Sequence, residues 1–170
     1  MNIFCTNECP IQSAREHCNV HVVKMILEYS QLLSTAHRIT DGDSYADQAG
    51  LYKATHKNHP SAVYARKSTQ HYRWVWECLN EIHSIYEAKS GKVHKGKRIL
   101  DALSVFPLEM SDEGFELPTL AMPDQYKSHA VFGGRTKAYQ MYLNDKFVEW
   151  KSRDKPMKVE WHYGRPIWVH

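Results

Sequence analysis

The alternation of apolar and polar positions predicts a mainly helical chain. Over residues 15–37, apolar side chains recur at steps of three and four, which is the period of an amphipathic helix. The same pattern predicts helices over 61–89, 98–105 and 136–151. Gly91 follows the second of these and is expected to end it, because glycine readily adopts the left-handed backbone of a helix C-terminus.

Irregular structure is predicted between and after these helices. Residues 41–50 are polar and contain two glycines, so we expect a loop or a short turn. Prolines divide 106–126 into extended segments, with a well-packed loop over 122–127. The tail 161–170 is rich in aromatic rings, which either pack back on the helices or lie beside a ligand. The predicted fold is a compact helical bundle, one domain over 1–170.

Composition limits the class of protein. The 170 residues are 42% hydrophobic and 24% charged, enough for one sizeable core. The net charge of +3 and the eleven histidines are compatible with a nucleic-acid partner. No apolar run approaches the roughly 18 residues of a membrane span, and no secretion signal is recognisable, so we expect a cytoplasmic protein with no membrane partner. The four cysteines are unevenly spaced and are expected to be free thiols.

Four titratable residues, which we call the polar stripe, stand out in the first predicted helix. His17, His21, Lys24 and Glu28 follow at steps of four, three and four, so at about 100° per residue they fall within about 60° of one another. Ser13 is a candidate N-cap for this helix. Apolar residues are expected on its opposite side: Val22, Val23, Ile26, Leu27, Tyr29 and Leu33. Imidazoles, an amine and a carboxylate can transfer protons, form a Schiff base or hold a metal. The alternative is an ordinary solvated face with a Lys24–Glu28 ion pair.

Two groups of basic residues are suited to contacts with phosphates. The first group is Lys53, His56, Lys57, His59, Arg66 and Arg73, with Asn58 among them. The second group is Lys92, Lys95, Lys97 and Arg98. The alternative for both is a solvated surface without a ligand.

Four segments carry a resemblance that covers nearly the whole chain. The chain resembles a family of small phage and bacterial proteins through the following motifs: M-N-I-F at 1–4, H-C-N-V-H-V-V-K-M-I-L-E at 17–28, T-H-K-N-H-P at 55–60 and M-P-D-Q-Y-K at 122–127. A more distant resemblance is to phage pyrimidine-dimer DNA glycosylases of the endonuclease V type, which are small all-helical enzymes. It rests on His21 and Glu28, seven residues apart, and on W-H-Y-G-R at 161–165.

The second resemblance implies lyase chemistry on double-stranded DNA that carries a damaged or modified pyrimidine. In such enzymes the N-terminal amine attacks the sugar C1′ and forms an imine, and the glutamate stabilises the charged sugar. Those enzymes lose the initiator methionine before a small second residue, whereas Asn2 is expected to retain Met1. The expected nucleophile is therefore the Met1 amine or Lys24, with Glu28 as the stabilising carboxylate.

The other expected roles follow from the same resemblance. His21 and His17 would orient the phosphate or sugar, and the basic residues around Lys57 would dock the DNA backbone. Tyr163 or Trp161 would stack in the gap left by an extruded base, with Arg165 beside them as a further binding residue. This chemistry needs no cofactor.

Two alternatives belong to other classes. His17, His21 and Glu28, with His56 or His59, have the residue types of a metal site in a hydrolase or nucleotide-modifying enzyme, although a Lys24 ammonium between them would repel a divalent cation. In the second alternative, the protein is a non-catalytic factor that binds nucleic acid or protein, and the polar stripe is only a contact surface.

Overall fold

A computed structural model describes all 170 residues, and it confirms the mainly helical fold class. Seven α-helices occur in the following order: α1 Pro10–Arg15, α2 Asn19–Thr40, α3 Asp43–Gln48, α4 Pro60–Ala65, α5 Thr69–Ser90, α6 Asp124–Lys127 and α7 His129–Lys151. Two 3-10 turns, Lys95–Ile99 and Ala102–Ser104, lie between α5 and α6. The only strand-like pairing is an isolated bridge between Cys18 and Trp161.

The two 22-residue helices, α2 and α5, form the centre of the molecule and pack on each other. One continuous core of 36 buried hydrophobic residues joins them to the first residues of the chain, to α7 and to the tail. Met25 and Leu33 of α2 and Leu79 of α5 are fully buried. Burying each such side chain contributes about 1.5–3 kcal/mol, so tertiary packing rather than helix propensity holds these elements in place.

The prediction of a single helix over 15–37 is wrong at its beginning. Pro10 starts α1, the chain then turns, and α2 begins only at Asn19 with Cys18 as its N-cap. Ser13 lies inside α1, where its hydroxyl donates to the Phe4 carbonyl instead of capping a helix. The tail sets the beginning of α2, since the Asn19 amide donates to the Glu160 carbonyl at 2.8 Å.

Other boundaries also differ from the predictions. The helix predicted over 61–89 is divided into α4 and α5, and the Ser68 side chain accepts from the His71 amide at the start of α5. Gly91 ends α5 with φ 65°, as predicted. The helix predicted over 98–105 is replaced by the two 3-10 turns, while the predicted loops 41–50 and 122–127 contain α3 and α6.

Helix α7 agrees with the predicted helix 136–151 once a break at Gly134 is taken into account. It begins at His129, seven residues before the predicted start at 136, but Gly134 has φ 72° and interrupts the helix there. Regular α-helix therefore starts close to the predicted position. The interruption uses a glycine because this backbone conformation is strained for other residues.

The aromatic tail packs back on the helices, which was one of its two predicted fates. The Trp161 indole donates to the Glu16 carbonyl at 3.0 Å, and the Trp168 indole donates to the Glu16 carboxylate at 2.8 Å. The Asn144 amide of α7 donates to the Trp168 carbonyl at 2.7 Å. The tail thus closes over the turn between α1 and α2.

The structure also bears on two expectations from composition. All four cysteines are free, as predicted. None of the helices combines the length and the apolar character required to cross a bilayer.

Candidate active site

The first two residues of the chain lie against Glu28 on the outer side of α2. The Asn2 backbone amide donates to Glu28 Oε2 at 2.9 Å, and the Met1 amine nitrogen is 3.9 Å from the same oxygen. On the other side, Lys24 Nζ is 3.4 Å from Glu28 Oε1. One carboxylate therefore lies between two amines that come from different parts of the chain.

The side chain of Asn2 fixes the position of the N-terminal segment. Its Nδ2 donates to the Ala121 carbonyl at 2.9 Å, and its Oδ1 accepts from the Tyr139 hydroxyl at 3.1 Å and from the Ile3 amide at 2.8 Å. Ile3 is then buried in the core. Glu28 thus meets a segment held from three directions, and such preorganisation is what a catalytic group requires.

The two amines differ in their surroundings. The side chain of Met1 is 3% exposed and that of Glu28 is 13% exposed, whereas that of Lys24 is 61% exposed. An ion pair sheltered from water is stronger than one at the surface, because solvent screens the charges less. The carboxylate can stabilise a cation that forms beside it, and a neutral amine next to it can act as a nucleophile.

The loop before α4 places His59 close to this site, with His56 three residues before it. Burial lowers the pKa of His59, the positive charges of the N-terminus and His56 lower it further, and the Glu28 carboxylate opposes them. His59 also caps α4, since its Nδ1 accepts from the Ser61 amide at 3.2 Å. His56 has φ 48° and is the only non-glycine residue with a positive φ, a conformation that costs energy and often occurs at functional sites.

His17 and His21 do not face the site, so the predicted polar stripe is wrong for both residues. His17 is buried before α2 begins: its Nδ1 donates to the Ser13 carbonyl at 2.7 Å, and its Nε2 accepts from the Tyr29 hydroxyl at 3.1 Å. Burial lowers the pKa of His17 to about 4, so the ring is neutral near pH 7. Both ring nitrogens are occupied, which leaves none for a phosphate or sugar.

His21 lies in an aromatic cluster of the core. Its ring centroid is 4.5 Å from that of Phe4 and 5.2 Å from that of Trp150. Burial lowers the pKa of His21 well below its ordinary value. Conversely, two side chains predicted on the apolar side are exposed, Val23 at 53% and Leu27 at 43%. The break before α2 and the packing of the tail rotate the helix relative to the predicted faces.

The donor set of the metal alternative is not assembled. No group of three or more histidine, cysteine, aspartate or glutamate side chains is close enough to hold a metal ion. His17 and His21 are buried in the core, whereas Glu28 faces the N-terminal amine. The predicted site with His56 or His59 is therefore not formed.

The predicted DNA-contact residues near Lys57 form a surface loop. Lys57, Asn58 and His56 are exposed, and the Arg66 guanidinium donates to the Lys57 carbonyl at 2.7 Å. Lys53 pairs with the Asp47 carboxylate at 3.1 Å. These residues remain accessible to a backbone phosphate.

Three other predicted binding residues lie on different surfaces. Arg73 stacks over the Phe106 ring at 5.2 Å and lines a groove that does not include Glu28. Tyr163 lies beneath the Arg15 guanidinium at 5.0 Å, and Arg165 donates to the Val169 carbonyl. Tyr163 and Arg165 share a groove of their own, so neither is brought together with Glu28.

A groove of about 860 Å³, which we call the α2 groove, opens beside Glu28. Its lining comprises Val23, Lys24, Leu27, Glu28, Gln31, Tyr52, Tyr86, Lys92, Val93, His94 and Lys95. The sequence pointed to Lys92 and Lys95 as a basic patch but gave no sign that Tyr52 and Tyr86 would join them. For the side of the groove that α2 forms, the available signal is the spacing of 24, 28 and 31 on one helix face.

Comparisons of the chain with protein-family models, curated proteins and solved structures found no match.

Proposed function

We propose that the protein is a DNA glycosylase and abasic-site lyase that acts on a damaged or modified pyrimidine in double-stranded DNA. The observation that carries the proposal is the Glu28 carboxylate between the Met1 amine and the Lys24 amine. An amine can form an imine at a sugar carbon, and a carboxylate beside it can stabilise the positive charge that develops. Of the residues that carry the resemblance to pyrimidine-dimer glycosylases, Glu28 lies at this site, whereas His21 is buried in the core and Tyr163 and Arg165 lie on another surface.

The amine nitrogen attacks C1′ of the deoxyribose, and the bond between C1′ and the base breaks. The base leaves with the electron pair and takes up a proton. The bound amine then loses one proton, the bond between C1′ and O4′ breaks as the sugar ring opens, and O4′ takes up a proton from solvent, which leaves a protonated imine between the nitrogen and C1′. The Glu28 carboxylate stabilises the positive charge on the sugar and on the imine nitrogen.

Met1 is favoured over Lys24 as the nucleophile. Its amine is held beside Glu28 by the anchored Asn2, and the Met1 side chain is only 3% exposed. Lys24 projects into solvent, with its side chain 61% exposed, where it is accessible to a phosphate. The loop with His56, Lys57 and His59 then docks the DNA backbone beside the reacting sugar.

The experiment is borohydride trapping of the protein on duplex DNA with an abasic site or a thymine dimer, with and without a chelator. Borohydride reduces the imine to a stable secondary amine, and peptide mass mapping identifies the modified residue. N-terminal sequencing of the same sample verifies that Met1 carries the free amine. We expect a chelator-insensitive adduct on Met1.

Variants separate chemistry from binding. Glu28→Gln is expected to lower turnover by about 100-fold or more while duplex binding is retained. Glu109→Gln is the matched control, because Glu109 is exposed and its side chain makes no hydrogen bond. Lys24→Arg keeps the positive charge but cannot form an imine, so trapping on Met1 should persist.

Two outcomes would contradict the proposal. Absence of an adduct from both substrates, with DNA still bound, would favour the non-catalytic binding factor. An adduct that forms equally well in Glu28→Gln would remove the carboxylate from the mechanism.

A further inference from the structure

We infer that the α2 groove binds a single-stranded DNA segment, with its phosphates on the lysines and a base on the tyrosine rings. The inference deepens the proposed function and rests on it for the identity of the ligand as DNA. It names a surface that the motif resemblance does not include, since Tyr52, Tyr86, Lys92 and Lys95 lie outside all of the shared motifs.

Charge is distributed along the groove in a way that suits a polyanion. Lys24, Lys92 and Lys95 line it, and all three are exposed. Lys24 pairs with Glu28, whereas Lys92 and Lys95 form no ion pair. Glu28 is the only carboxylate in the lining. Phosphates are therefore attracted to the lysines and repelled from Glu28, which leaves the carboxylate opposite a sugar.

The groove also offers aromatic and apolar surface. Tyr52 and Tyr86 line it, and Tyr86 meets the His94 ring edge-on with centroids 5.2 Å apart. Val23 and Val93 are 53% and 68% exposed beside them. A groove that combines lysines with aromatic rings is typical of proteins that bind unpaired strands, in which each base presents a face for stacking.

The combination of lysines and aromatic rings in one groove favours a single strand over a duplex. In a duplex, base faces are stacked on one another and cannot contact a tyrosine ring. A base must also leave the stack before an amine reaches its C1′ atom. Glu28 lines the groove and its Oε2 is 3.9 Å from the Met1 amine, so a strand held there lies close to the candidate nucleophile.

The test measures binding without chemistry. A fluorescein-labelled 20-mer of thymidine and a blunt duplex of mixed sequence are titrated with the protein, and fluorescence anisotropy is followed over a range of salt concentrations. We expect tighter binding of the single strand. In the double variant Lys92→Gln/Lys95→Gln, the slope of log K against log salt should fall by about 1.4 in magnitude, because each phosphate contact on a single strand contributes about 0.7.

Two control variants accompany the substitutions in the groove: one removes the same number of charges elsewhere, and the other keeps the aromatic ring of Tyr86. Lys151→Gln/Lys155→Gln removes two exposed lysines outside the groove and should leave the slope for the single strand unchanged. Tyr86→Ser should weaken binding about fivefold or more, whereas Tyr86→Phe keeps the stacking surface and should bind like the original protein. Thermal melting of each variant verifies the fold.

The outcomes distinguish this inference from the proposed function. Single-strand binding that depends on Lys92, Lys95 and Tyr86, without a borohydride adduct, would support the groove and overturn the lyase. An adduct together with unchanged binding in the groove variants would support the lyase and overturn the groove. Equal loss of binding in the Lys151/Lys155 control would also overturn it.

Discussion

The two ends of the polar stripe, which runs from His17 to Glu28, carry similar residues in opposite surroundings. At its beginning, His17 and His21 are buried among aromatic rings, and their burial lowers the pKa of each imidazole. At the other end, within about two helical turns of His21, Glu28 contacts both the Met1 amine and the Lys24 amine beside an open groove. One end uses titratable groups in their neutral form to complete the core, and the other keeps opposite charges together at the surface.

The difference teaches that residue type and spacing do not distinguish a core histidine from a functional one. What distinguishes them is the fate of their polar atoms. Both nitrogens of His17 are used by Ser13 and Tyr29, whereas Glu28 meets amines that can react or bind a ligand. A group whose hydrogen bonds are all made within the protein has none left for a substrate.

The largest expected effect is on stability at the buried end. His17→Ala should lower the free energy of unfolding by about 4 kcal/mol, because it leaves a cavity and deprives the Tyr29 hydroxyl of its partner. Urea unfolding followed by circular dichroism measures this value. His162→Ala, at an exposed position, is the control and should unfold like the original protein. A loss of less than about 1 kcal/mol for His17→Ala would mean that the ring is not part of the core.

Acid should also reveal the burial of His17, through a slightly smaller loss in the free energy of unfolding. The pKa of His17 falls from its ordinary value of 6.5 to about 4 on folding, so between these pH values the unfolded chain binds a proton that the folded protein does not. Stability therefore decreases as pH falls from 6.5 to 4, by about 3 kcal/mol from this residue. Urea unfolding at half-unit steps of pH measures the slope.

A variant isolates the contribution of His17 to that slope. His17→Gln cannot take up the proton, so its stability should fall less steeply over the same pH range. A slope identical to that of the original protein would show that other groups dominate the acid response.

The smallest expected effect is at the exposed end. Lys24→Gln should change the free energy of unfolding by less than about 0.5 kcal/mol, because the Lys24–Glu28 pair is an exposed pair four residues apart on a helix. Its effect on single-strand binding should be larger than its effect on stability. A destabilisation above about 1 kcal/mol would place this lysine with the buried residues and remove the contrast between the two ends.

Local patterns predicted the helical class and several boundaries. The periodicity of α2, α5 and α7 is evident in the sequence, and Gly91 marks the end of α5 because of its backbone preference. The start of α2 was mispredicted because a distant segment decides it: Trp161 bridges Cys18 across the turn. No local propensity contains that information.

The candidate site was only partly predictable for the same reason. Glu28 and Lys24 share one face of a helix, so their proximity follows from spacing alone. The position of the Met1 amine depends on the hydrogen bonds of Asn2, and the α2 groove depends on the path of the chain at 92–95. Both are tertiary features, and neither is encoded by a local pattern.

The hydrogen bonds of Asn2 also determine when the site can form during synthesis. The residues that hold this side chain, Ala121 and Tyr139, follow it by 119 and 137 positions. The ribosome therefore releases the first residues long before it makes the partners that fix them, and contacts between such distant positions form late. Both partners also follow the end of α5 at Ser90, so a nascent chain contains all of α2 and α5 before it contains the groups that anchor its N-terminal amine.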